Sequence, residues 1–174
     1  MSRAAYLDAL KMLGRRELSE AQVRQRLARR DHAGEAIDAA VTELIEQRAI
    51  DDARVAGAIA RTQTAFKQRG KLRVRRQIEQ AGISTAIARQ AVDAVFGALD
   101  ADDLLNASLA KRLRGRDQIA DDREFQRLYR YLIGQGFEST RVLAVLKNHG
   151  RGTASTAGKA GGARKAGRQE AEDD

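Results

Sequence analysis

The sequence predicts an all-α fold: an elongated, curved tandem array of three three-helix repeats, followed by a disordered C-terminal tail. Three observations lead there. Ala and Leu dominate a chain with only 4% aromatic residues and no proline, which favours helices joined by glycine-centred turns over sheets. Apolar residues return at three- and four-residue intervals, the period of a helix with one buried face. The same succession of apolar and turn residues also recurs about every 50 residues, as a repeat architecture requires.

The repeat is clearest where a helix ends at a tight turn. Val23 and Leu27, Val74 and Ile78, and Leu128 and Leu132 are pairs four residues apart on one helix face. Four residues beyond each second member stand Asp31, Gly82 and Gly136. Glycine supplies the left-handed conformation that closes a helix, and Asp tolerates it. A following helix carries Ile37, Val41 and Leu44 in the first copy, Ile87, Ala91 and Val95 in the second, and Val142, Val145 and Leu146 in the third. Ser84 and Ser139 stand where N-caps are expected. A leading helix precedes each pair: Ala5–Gly14 with Tyr6, Leu10 and Leu13; Asp52–Arg69 with Val55, Ile59 and Phe66; Asp102–Arg114 with Leu105, Leu109 and Leu113. The repeats are therefore set at 1–51, 52–100 and 101–150. One triplet alone buries little surface, so neighbours are expected to stack. An irregular single bundle is the competing arrangement.

From Arg151 to Asp174 the chain is rich in Gly, Ala, Ser, Thr and Lys and lacks large apolar residues, so 151–174 is read as the disordered tail. The whole chain carries a net charge of +8. Five basic and four acidic residues fall in the tail, which leaves +7 on the part expected to fold. Such an imbalance points to polyanionic partners. With no cysteine there is no disulfide or thiolate site, and a reducing cytoplasm fits. No secretory signal opens the chain, and no stretch reaches the roughly 18 to 20 apolar residues that span a bilayer, so no membrane partner is expected.

Groups that could carry a reaction are scarce. His32 and His149 sit beside helix ends, outside any metal-ligand spacing. The pairs Asp51-Asp52, Asp102-Asp103 and Asp121-Asp122 each lie at an expected helix start, where carboxylates cap free N–H groups and complement the dipole. No phosphate-cradling Gly-x-x-x-x-Gly-Lys loop and no Gly-x-Ser-x-Gly elbow is present. A non-enzymatic protein without cofactor or metal is expected.

The densest cationic stretch is Lys67, Arg69, Lys71, Arg73, Arg75 and Arg76, six basic residues in ten with no acid among them. Cations in the first turn of a helix oppose its dipole, so helix stability does not account for them, whereas bound anions would. Other candidates for polyanion contact are Arg112 and Arg114, with Lys111 and Arg116, and Arg127 and Arg130, with Arg123. Arg24, Arg26, Arg29 and Arg30 form a further group. A solvated face balanced by Glu17, Glu20, Glu35, Glu43 and Glu46 is the alternative for these scattered arginines. The second helix pairs, such as Ser84–Phe96, offer few base-reading side chains, and most aromatics fall on expected core stripes.

Asp51-Asp52-Ala53-Arg54-Val55-Ala56, Arg61, Gly70 to Val74 and Ile78 to Ile83 together resemble the segment typical of the RecX family. Tyr131 to Ser139 resembles that family's final repeat, and Leu10–Arg16 with Ser19–Leu27 its beginning, so the likeness spans about Ala5 to Asn148. Asp31-His32 stands where the family usually has Gly and an apolar residue. The resemblance implies a tandem three-helix-repeat protein; a cytoplasmic monomer is expected, with low-order assembly open. It implies binding to the RecA recombinase filament on single- or double-stranded DNA, mainly through phosphates, with restraint of recombination. A general basic nucleic-acid-binding protein and a helical interaction scaffold are the competing classes.

Overall fold

The computed structural model describes residues 3–149, and among these the chain forms nine α-helices and no β-strand. The tail expected at 151–174 lies outside the described residues. Helices α1 (Arg3–Leu13), α2 (Glu20–Ala28) and α3 (Gly34–Glu46) surround one apolar cluster built on Val23, Leu27, Val41 and Leu44. Helices α4 (Asp52–Ala65), α5 (Lys71–Gln80) and α6 (Thr85–Phe96) surround a second, built on Val74, Ile78, Ala88 and Val92. Helices α7 (Ala101–Leu113), α8 (Asp122–Gly134) and α9 (Ser139–Asn148) surround a third, built on Leu105, Leu109, Leu132 and Leu146. Each large side chain so buried contributes about 1.5–3 kcal/mol. Heavy helix–helix packing falls within these triplets.

Two leading helices present a different face from the one expected. In α1 the buried residues are Ala5, Ala9 and Met12, while Tyr6 and Leu13 pack at the edge and Leu10 is exposed. In α4 they are Val55, Ala56, Ala60 and Thr64, with Ile59 at the edge and Phe66 74% exposed. Alanine lets two helix backbones approach closely, and the larger neighbours then cover the seam from its sides. In α6, likewise, Ala88 and Val92 are buried and Ile87, Ala91 and Val95 flank them. Helix α4 also stops at Ala65, short of Arg69, because Gln68 takes a left-handed conformation (φ 50°).

The aspartates cap as expected in two of three places. Asp51 and Asp121 accept from the backbone N–H groups of Arg54 and Glu124. In α7 the cap is Asp100, and Asp102 and Asp103 lie in the first turn. Ser84 caps α6. Ser139 does not cap: Glu138 holds that position, and the Ser139 hydroxyl pairs with Tyr129 at 3.1 Å.

Asp31, Gly82 and Gly136 are all left-handed, at φ 60°, 80° and 91°. Two of these turns do more than reverse the chain. The Gly82 turn lies against the start of α2, where the Ser19 hydroxyl donates to the Ala81 carbonyl. A Cβ added to Gly82 would stand 2.3 Å from that of Ala21. The Gly136 turn lies against the start of α5 in the same way. There the Gly70 and Leu72 N–H groups donate to the Gln135 and Gly136 carbonyls at 2.9 and 3.2 Å, and Arg73 Nη1 donates to the Gly134 carbonyl at 2.6 Å. The turn of one triplet thus seats on the second helix of the triplet before it, twice over. Arg54 reinforces the first junction by donating to Glu17 and to the Arg48 and Ala49 carbonyls. Lys111 reinforces the second through the Phe66 carbonyl.

Candidate functional site

The second junction opens into a groove of about 580 Å³ lined by Arg69, Leu72, Arg73, Arg76, Gln77, Gln80, Ile133, Gly134, Gly136 and Phe137. Its geometry follows from α5. Arg73, Arg76, Gln77 and Gln80 stand three and four residues apart on one helix face, and Arg69 precedes the Gly70 cap. The opposite wall is the Gly136 turn.

The six residues of the Lys67–Arg76 run do not act alike. Arg69 Nη1 donates to Gln63 and Gln77, both at 2.6 Å, and Arg73 holds the junction. Burial, followed by the nearby Arg73 charge, pushes the Arg69 guanidinium below the usual arginine range. Lys71 turns to α6 and pairs with Asp93 at 2.7 Å, holding that carboxyl below the usual carboxylate range. Arg75 faces Glu79 at 3.8 Å. Lys67 and Arg76 are exposed and have no carboxylate within ion-pair distance among the described residues. Helical periodicity therefore splits one linear run three ways: two arginines brace the groove, two cations are neutralised, and two are open to a ligand.

The other predicted cations are spread over the third triplet. Arg112 lies over the Tyr131 ring at 4.4 Å. Neither Arg112 nor Tyr131 lines the junction groove. Arg114 is the left-handed C-cap of α7. Arg127 faces Glu124 at 3.5 Å, and Arg130 borders a separate shallow recess with Phe125, Tyr129 and Leu143. The structure thus brings Arg69, Arg73 and Arg76 together and leaves Arg112, Arg114, Arg127 and Arg130 apart.

A second basic groove, of about 500 Å³, lies in the first triplet, where the ends of α1 and α2 meet. Met12, Arg15, Arg16, Arg26, Arg29 and Arg30 line it. Arg15 and Arg16 escaped the sequence reading because they stand ten residues and more from Arg26. The available signal was a basic pair directly after Gly14, at the close of one helix of a hairpin. Arg24, grouped with these arginines in the sequence, instead pairs with Glu20 and Asp38.

No trio of His, Cys, Asp or Glu among the described residues is placed to hold a metal ion. His32 pairs with Asp8 at 3.1 Å, and this hydrogen bond is the main cause holding the Asp8 carboxyl below its usual range. No helix among the described residues is long and apolar enough to cross a membrane. What the two grooves offer chemically is clustered N–H donors and positive charge, suited to phosphate or carboxylate.

Comparison with known proteins agrees along the chain. The family model described as "RecX, first three-helix domain" matches residues 5–44. A "Regulatory protein RecX" of Chromohalobacter salexigens is 30% identical over 135 residues, covering 78% of this chain and 86% of the relative. One from Syntrophotalea carbinolica is 30% identical over 136 residues, covering 78% and 89%. Among solved structures, RecX from Lactobacillus salivarius superposes with a TM-score of 0.66 at 20% identity, covering 83% of this chain and 94% of that one. Another regulatory protein RecX gives the same TM-score at 23% identity, covering 83% and 70%.

Proposed function

The chain belongs to the RecX family of regulatory proteins, and from that premise we propose that it binds the RecA–DNA nucleoprotein filament and restrains recombinase activity by occupancy, without a reaction of its own. In this reading the triplets 1–51, 52–100 and 101–150 work as one three-repeat body in the cytoplasm.

The observation that supports the reading is the mixed character of the junction groove. Leu72 and Ile133 line it and are 47% and 37% exposed, beside Arg73, Arg76 and the Arg69 brace. A protein surface needs such an apolar centre with charged surroundings, whereas a bare phosphate chain gains nothing from exposed leucine and isoleucine. Lys67 and Arg76, without carboxylate partners among the described residues, are the cations that meet acidic filament groups or DNA phosphates.

The test is recombinase ATP hydrolysis on single-stranded DNA with substoichiometric protein, together with retention on bare and on recombinase-coated DNA. Inhibition and preference for coated DNA are expected, and both should weaken in L72A/R76E. Equal retention on bare DNA with no effect on hydrolysis would instead indicate a general nucleic-acid-binding protein.

A further inference from the structure

We propose that the first-triplet groove formed by Arg15, Arg16, Arg26, Arg29 and Arg30 is a separate binding site for the phosphate backbone of nucleic acid, used whether or not recombinase is present.

Most other well-placed cations of this chain have a protein partner. Arg54, Arg73 and Lys111 reach carbonyls, while Arg24, Lys71, Arg116 and Arg141 reach carboxylates. In the first-triplet groove that pattern fails. Among the described residues no carboxylate lies within ion-pair distance of Arg15, Arg16, Arg26 or Arg29, and only Arg30, at the edge, meets Asp8 at 3.3 Å. Arg29 reaches only the neutral Gln25 amide, at 3.3 Å. Arg26 is half-buried, and the charges of Arg16, Arg29 and Arg30 oppose its own.

The usual reason for arginine at helix C-termini is the negative end of the dipole, which favours a cation by about 0.3–1 kcal/mol. Two helices end here, α1 and α2, yet five arginines line the one recess. Repulsion grows with every pair, while the dipole benefit fades beyond the last turn. A bound polyanion removes that excess, and each guanidinium fork can take two oxygens of one phosphate.

The lining also selects the class of ligand. Its only apolar residue, Met12, is 7% exposed, so the groove offers a partner no aliphatic or aromatic side chain, only arginine stems and their guanidinium heads. Recognition by charge and hydrogen bonding alone is the mode of phosphate-backbone contact, which positions a strand without reading its bases. The junction groove differs in presenting two exposed aliphatic side chains, Leu72 and Ile133.

The experiment is fluorescence anisotropy of labelled single-stranded DNA with the full chain across a salt series and no recombinase. Each phosphate contact contributes about 0.7 to the log–log salt slope. R15Q/R16Q/R26Q/R29Q should therefore lower the slope by up to about 3 and weaken binding at least tenfold or so. The lysine version, R15K/R16K/R26K/R29K, should keep most of the slope and shows that a loss reflects charge and not folding. R3Q/R48Q/R61Q/R89Q removes equal charge from other exposed positions and should change the slope by less than about 1. An unchanged slope in the groove variant, or an equal fall in the control, overturns the proposal. So does a defect seen only on recombinase-coated DNA, which would make the ligand an acidic protein surface. Because no recombinase is present, failure here leaves the filament reading to its own test.

Discussion

Replacing Gly70 with Ser isolates the contact that joins the second and third triplets. Serine is the better N-cap by a few tenths of a kcal/mol, and Gly70, at φ −74°, already has a conformation open to any residue. Local preferences therefore favour the change. What opposes it is space: a Cβ at position 70 would stand 2.4 Å from the Gly136 carbonyl oxygen and 2.6 Å from the Phe137 nitrogen. The turn would have to withdraw by about 1 Å, carrying the Gly70 and Leu72 hydrogen bonds beyond useful range. Two such bonds are worth about 1 kcal/mol each, and overpacking costs about 1–3 kcal/mol. These overlap, so the net expectation is a loss of about 2 kcal/mol, or a urea midpoint lower by about 1 M. Urea unfolding followed by circular dichroism reads it, and a second, earlier transition from a loosened third triplet should accompany it. G115S is the control, since Gly115 has φ 84° but open space around it, and it should cost only about 1–2 kcal/mol of backbone strain. The reasoning is refuted if G70S is as stable as the parent. That would mean the turn had moved without loss into the arrangement found at Ser19, whose hydroxyl donates to the Ala81 carbonyl.

Two further outcomes follow from single residues. Glu124 is buried and accepts from Arg116 and from the Ala120 N–H at 2.6 and 2.8 Å, and these bonds, Arg116 first, bring its carboxyl from 4.5 to about 2. Its folded value lies below the unfolded one, so its stabilisation is present above about pH 4.5 and is lost as pH falls towards 2. E124Q should therefore melt lower than the parent at pH 6 by about 1–2 kcal/mol and converge with it near pH 2, and a gap independent of pH would contradict the assignment. Asp31 is left-handed and its turn makes only local bonds, to Leu27 and Ala28, so D31G should stabilise by about 0.5–1 kcal/mol, read as a higher urea midpoint with unchanged slope.

Much of the site was hidden for a definable reason. The Lys67–Arg76 run is obvious as composition, but a helix turns 100° per residue, so adjacent cations face different neighbours. Lys71 and Arg75 found carboxylates, Arg69 found the amides of Gln63 and Gln77 within its own triplet, and Arg73 found a carbonyl oxygen across a junction that no local pattern announces. Arg15 and Arg16 join Arg26 and Arg29 only because a hairpin folds them together. The misplaced faces of α1 and α4 have a related cause. Hydrophobic size points to Leu10 and Phe66, but close helix packing selects Ala9 and Ala60.

The chain itself determined its helices and its period, because apolar spacing and left-handed turn residues at 31, 82 and 136 act locally. The same register places Ser19, Gly70 and Glu124 four residues before Val23, Val74 and Leu128. Only the folded structure decides what those three positions do. Ser19 and Gly70 receive the turn of the next triplet, while α8 begins one turn earlier and fills the third place with Glu124, paired to Arg116. The two docks depend on atoms more than 50 residues away within 3 Å of them, and that is a property of packing, which one-dimensional spacing does not encode.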